Sequence, residues 1–91
     1  MKLYETEEQA RQAAGGLFTV CPTIDDEKIM YYVITWDGYR QNLEDNASAL
    51  YDGGWRGSDT EELAACYGFP VWYASDLCNK IATLEEEQAD F

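Results

Sequence analysis

The chain has 91 residues and 10.4 kDa, with 18 Asp and Glu against 6 Lys and Arg and no His, a formal net charge of -12. A length this short is read as one domain, 1-91, burying about 64% of its unfolded surface. At 46% hydrophobic and 14% aromatic the composition excludes a disordered chain despite the charge.

Met1 to Glu5 is predicted to open as a short strand. Thr6-Glu7-Glu8-Gln9 has the form of a capping box, so a helix follows, with Ala10, Ala13 and Ala14 on one face and Glu7 paired to Arg11. Gly15-Gly16 ends it. Leu17 to Ile24 and Lys28 to Trp36 are rich in β-branched and aromatic residues and are separated by the polar turn Asp25-Asp26-Glu27, so they read as paired strands. Asp37-Gly38, flanked by aromatics, favours a second tight hairpin with Tyr39 to Leu43 as return strand.

Residues 45-52 are predicted to form a short helix stopped by Gly53-Gly54. Ser58-Asp59-Thr60-Glu61 reads as a second capping box, opening a helix through Tyr67 with Leu63, Cys66 and Tyr67 on its apolar side. After Gly68-Phe69-Pro70 a last helix runs from Val71 to Glu87 on an apolar stripe of Ala74, Leu77, Cys78, Ile81 and Leu84, and Glu85 to Phe91 frays. The fold class expected is α+β: a small antiparallel sheet of three to four strands, one N-terminal helix and two to three C-terminal helices on one side of it.

Without histidine the usual general base and metal ligand is missing, and neither G-x-x-x-x-G-K-[ST] nor G-x-G-x-x-G occurs, so catalysis is not expected. Cys21, Cys66 and Cys78 lack zinc-site spacing, and the acidic runs lack the alternating ligands of a calcium loop. No cofactor and no metal are expected. Three cysteines without a signal-peptide pattern fit a reducing cytoplasm, with each Cys a small core residue. The longest apolar run, Ile29 to Ile34, is too short to span a bilayer, so no membrane partner is expected. Ser58 to Leu84 resembles a helix-turn-helix in outline, yet Lys80 is its only cation against Asp59, Glu61, Glu62 and Asp76, which argues against direct nucleic-acid binding.

The acidic residues fall in clusters: Glu5, Glu7 and Glu8; Asp25, Asp26 and Glu27; Glu44 and Asp45; Asp59, Glu61 and Glu62; Glu85, Glu86 and Glu87. Each taken alone reads as a solvated face or a helix N-terminus. Together they make a long-range negative field that favours association with a basic surface, and nucleic-acid-binding proteins are the familiar owners of such surfaces. In size and acidity the whole chain resembles the small acidic inhibitors of phages and mobile elements, including anti-CRISPR and anti-restriction DNA mimics. The resemblance is compositional and implies stoichiometric inhibition in host defence evasion, by blocking DNA access to a nuclease complex.

The candidate partner-binding residues are Asp25, Asp26, Glu27, Glu44, Asp45, Asp52, Trp55, Asp59, Glu61, Glu62 and Asp76, Trp55 because it lies in a flexible turn between Gly54 and Arg56. Tyr31, Tyr32 and Trp36 read as sheet-face packing, and Trp72 and Tyr73 as pins for the last helix. A second reading stays open, an acidic protein–protein module or homodimer joined through an apolar sheet face.

Overall fold

The computed structural model describes residues 1–89, so Asp90 and Phe91, with the end of the tail expected to fray, lie outside the described residues. The chain is α+β, with α1 (Glu7–Ala14), β1 (Phe18–Asp25), β2 (Lys28–Thr35), α2 (Trp36–Asp52), α3 (Thr60–Tyr67) and α4 (Val71–Ala89). The sheet has two strands, in place of the three to four expected. Two compact units divide the chain, Met1–Arg40 and the remainder from Gln41.

In the first unit, Thr6 caps α1 as its sequence predicts. Its hydroxyl accepts from Gln9 N at 3.2 Å, and the Gln9 side chain accepts from Thr6 N at 3.3 Å. Arg11 Nε meets Glu7 Oε2 at 2.7 Å one turn away. Ala10 and Ala14 are the buried residues of the helix, and faces this small bring α1 close against both strands. β1 and β2 pair antiparallel from Phe18↔Thr35 to Asp25↔Lys28, so the loop is only Asp26-Glu27, and both residues have positive φ, 50° and 67°. That is the backbone a two-residue hairpin loop with right-handed strand twist requires. Met1–Glu5 forms no strand: Tyr4 alone bridges β2, exchanging backbone hydrogen bonds with Tyr31 at 2.7 and 2.9 Å.

The predicted second hairpin is overturned. Asp37-Gly38 belongs to the first turn of α2, and Tyr39 to Leu43 is helical. Thr35 ends β2 and its hydroxyl accepts from Gly38 N at 3.1 Å, the geometry of a helix N-cap, with Asp37 favourably placed in the positive first turn. Tyr39, Leu43 and Ala47, spaced four apart, are the buried stripe that keeps these residues helical. Trp36, expected to pack on the sheet, instead heads α2 at 50% exposure, edge-on to Tyr39.

Tyr31 and Tyr32 hold their phenols above the ordinary range. Burial is the larger cause in both, aided by the Glu7 charge at Tyr31 and by a hydrogen bond with Cys21 at Tyr32. A raised pKa means that folding favours the neutral phenol. The stabilisation is therefore fully present below about pH 10, where unfolded tyrosine ionises, and is lost as pH rises through the folded values. The urea midpoint is expected to fall above about pH 10, and the fall is expected to be shallower in Tyr32→Phe; a midpoint flat across that range in the parent chain contradicts the assignment.

In the second unit, α3 and α4 pack together around Leu63, Tyr73, Ala74, Leu77, Cys78 and Ile81, all buried. Leu84 is only half-buried, and α4 continues past the expected Glu87 to Ala89. The buried phenol of Tyr73 is satisfied by α2: its hydroxyl donates to Asn42 Oδ1 at 2.6 Å and accepts from Asn46 Nδ2 at 3.0 Å. Gly68 closes α3 at φ 76°, its N–H bonding Ala64 O at 2.8 Å. Gly57 lies so close to α4 that a Cβ there would stand 2.8 Å from Ala82 Cβ and 3.1 Å from Cys78 O. Its N–H donates to Glu85 Oε1 at 2.6 Å.

Candidate partner-binding surface

The candidate residues divide between the units. Asp25, Asp26 and Glu27 form the exposed tip of the hairpin in the first unit. Glu44, Asp45, Asp52, Trp55, Asp59, Glu61, Glu62 and Asp76 belong to the second.

The extension of α2 is what organises the first of these. At 3.6 residues per turn Glu44, Ser48 and Asp52 succeed one another on a single face, with Asp45 beside them, and all four are exposed, flanking the buried stripe of Leu43 and Ala47. The line from Glu44 to Asp52 is about 12 Å long. Asp45 accepts from Gln41 Nε2 at 3.0 Å, and Glu44 stands 3.9 Å from Lys80 Nζ. Lys80 lies in a groove of about 280 Å³ lined also by Ser48, Thr83, Leu84 and Glu87. Lys80, the one cation of the groove, shares its lining with two carboxylates, Glu44 and Glu87, and with Ala47.

On α3, Glu61 and Glu62 are exposed in the first turn, where the helix dipole favours them. The expected capping box from Ser58 does not form. Asp59 is the N-cap residue, and its carboxylate turns away from the helix to accept from Arg56 N at 2.8 Å. Asp59 and Asp76 are half-buried.

Trp55 is half-buried and sits in a fastened loop, where the sequence led us to expect a flexible one. Its N–H bonds Leu50 O at 3.0 Å, and Arg56 Nη1 donates to Trp55 O at 2.8 Å and to Tyr51 O at 3.2 Å. The Arg56 guanidinium also lies over the Tyr51 ring, 4.5 Å from its centroid. From Trp55 a line of rings leads inward: Tyr67 at 6.2 Å, then Phe69 stacked on Tyr67 at 5.2 Å, then buried Tyr73 edge-on at 5.0 Å. Tyr67 and Cys66 are exposed, so the apolar side predicted for α3 reduces to Leu63, and Cys66 is not the core residue expected of it. Arg56 escaped the sequence reading because its partners, the carbonyls of Tyr51 and Trp55, become available only once α2 ends there. The Tyr67-x-Phe69 spacing next to a Gly was the visible hint of the ring line.

Charge is distributed unevenly. The first unit has seven Asp and Glu against four Lys and Arg, a formal -3, and the second has eleven against two, a formal -9. Both cations of the second unit are engaged at home, Arg56 with carbonyls and a ring, Lys80 beside Glu44. Among the described residues no group of three His, Cys, Asp or Glu side chains is disposed to hold a metal ion, and no helix is long and apolar enough to cross a membrane. Comparison with protein-family models, with curated proteins and with solved structures finds no match to the chain.

Proposed function

We propose that this chain is a small acidic binding protein that inhibits a nucleic-acid-binding target, such as a CRISPR or restriction nuclease complex, by occluding its basic DNA-binding surface. The observation that supports the reading is the formal -9 of the second unit, whose two cations are both engaged internally. Carboxylates held on helix faces, as Glu44, Asp45 and Asp52 are on α2 and Glu61 and Glu62 on α3, present fixed negative charge to a partner at little cost in ordering. Such a surface competes with phosphates for Lys and Arg, and its attraction weakens as salt rises. The mode is stoichiometric binding without a cofactor.

Immobilised protein is expected to retain a nuclease or other nucleic-acid-binding complex from a host lysate, and both moderate salt and excess duplex DNA are expected to release it. Retention indifferent to both sinks the occlusion reading.

A second reading has its own observation. The β-ladder ends at the pair Phe18↔Thr35, and Leu17, Phe18 and Trp36, at or next to that end in sequence, are 83%, 43% and 50% exposed. An apolar patch of this kind suits a protein–protein module or a homodimer. Self-association that persists at high salt in the same retention experiment favours it over occlusion.

A further inference from the structure

We infer that the ring line from Trp55 through Tyr67 to Phe69 is the docking surface for an arginine-rich segment of the partner, an inference that rests on the proposed occlusion of a basic surface and names the side chain it selects. The rings are held rather than loose. Phe69 is fixed edge-on to buried Tyr73, Tyr67 is stacked on Phe69, and Trp55 is tied through its backbone to Leu50 and Arg56. Yet Tyr67 remains 38% exposed, with Val71 at the start of α4 exposed to 67%. Rigid aromatic surface that stays accessible is the material of binding anchors.

Charge complementarity specifies the occupant. The rings belong to the unit with a formal -9, and Asp52 and Asp59 bracket the loop that carries Trp55. A hydrocarbon anchor gains nothing from that field, whereas a cation gains from both the field and the ring faces. Arginine is favoured over lysine because its planar guanidinium stacks flat on a ring while its N–H groups stay free in the plane to meet carboxylates. The loop already displays this chemistry within the chain, in Arg56 over Tyr51.

The test is calorimetric titration of the full chain with an oligoarginine and an oligolysine peptide of equal length. The expected result is binding of oligoarginine about fivefold tighter than oligolysine, the size of one to two exposed cation–π contacts. Trp55→Leu and Tyr67→Leu are each expected to remove that preference, with a urea midpoint measured for each variant as the control that it is folded. Equal binding of both peptides by the parent chain overturns this inference and leaves the occlusion reading standing. An arginine preference that survives in both variants also overturns it, since the rings are then not the selecting surface. Binding of neither peptide overturns this inference and the occlusion reading together.

Discussion

The triple variant Asp52→Lys, Glu61→Lys and Glu62→Lys is expected to lose about a hundredfold in association rate with the partner at low salt, while its urea midpoint stays close to that of the parent. The first expectation follows from steering. Reversing three carboxylates takes the formal charge from -12 to -6, and all three changes fall in the unit that carries most of it. Electrostatically guided encounters run about two to three orders of magnitude faster than neutral ones, and much of that margin disappears with the field. The second expectation follows from where the residues sit. Glu61 and Glu62 occupy the first turn of α3, so their reversal forfeits about 0.3–1 kcal/mol each from the helix dipole. Asp52 closes α2, where a lysine is favoured by the same dipole, and the whole chain repels itself less at -6. The opposing contributions nearly cancel. Stopped-flow association and urea denaturation on the same preparation separate the two: an unchanged on-rate contradicts the charge reading, and a collapsed midpoint contradicts the placement of these side chains on the surface.

Gly57→Ala is expected to destabilise the chain by about 3 kcal/mol, a fall in Tm on the order of 15 °C. The added methyl meets Ala82 Cβ at 2.8 Å and the Cys78 carbonyl at 3.1 Å, both rigid parts of α4, so either the helix or the loop must move away. Movement also lengthens the 2.6 Å hydrogen bond from Gly57 N to Glu85, a charge-assisted contact whose loss costs about 1.5–3 kcal/mol. Gly16→Ala is the control. A methyl at Gly16 meets nothing within 4 Å, and no change in Tm is expected there. Equal Tm for both variants contradicts the close approach of the loop to α4.

The loop from Gly53 to Ser58 shows how far sequence reading reaches in this chain. Local chemistry was legible in the Thr6 box, the Glu7–Arg11 pair, the hairpin around Asp26-Glu27 and the apolar stripe of α4. Asp37-Gly38 misled because the same dipeptide serves a tight hairpin and a helix first turn, and the deciding signals stand on either side of it. Thr35 supplies a cap three residues before Gly38, and Tyr39, Leu43 and Ala47 recur at helical spacing. That one substitution of helix for strand removed the expected return strand, Tyr39 to Leu43, and lined up Glu44, Asp45 and Asp52. Ser58 misled for a different reason. Asp59 was a competing cap in the same motif, and the Arg56 N–H, which takes its carboxylate, is reached only through the fold of the loop. The excess of acid over base was plain from composition, but its concentration beyond Gln41 acquires meaning only once the units are known.

The hairpin tip trades structural ease for surface potential. Asp26 and Glu27 both lie in the left-handed region, where a residue with a Cβ costs about 1–2 kcal/mol and glycine or asparagine sits with far less strain. A loop selected for turning alone has a cheaper composition at hand. This one holds consecutive carboxylates at a protruding corner, and the eight-residue ladder of β1 and β2 absorbs the conformational cost of keeping them there.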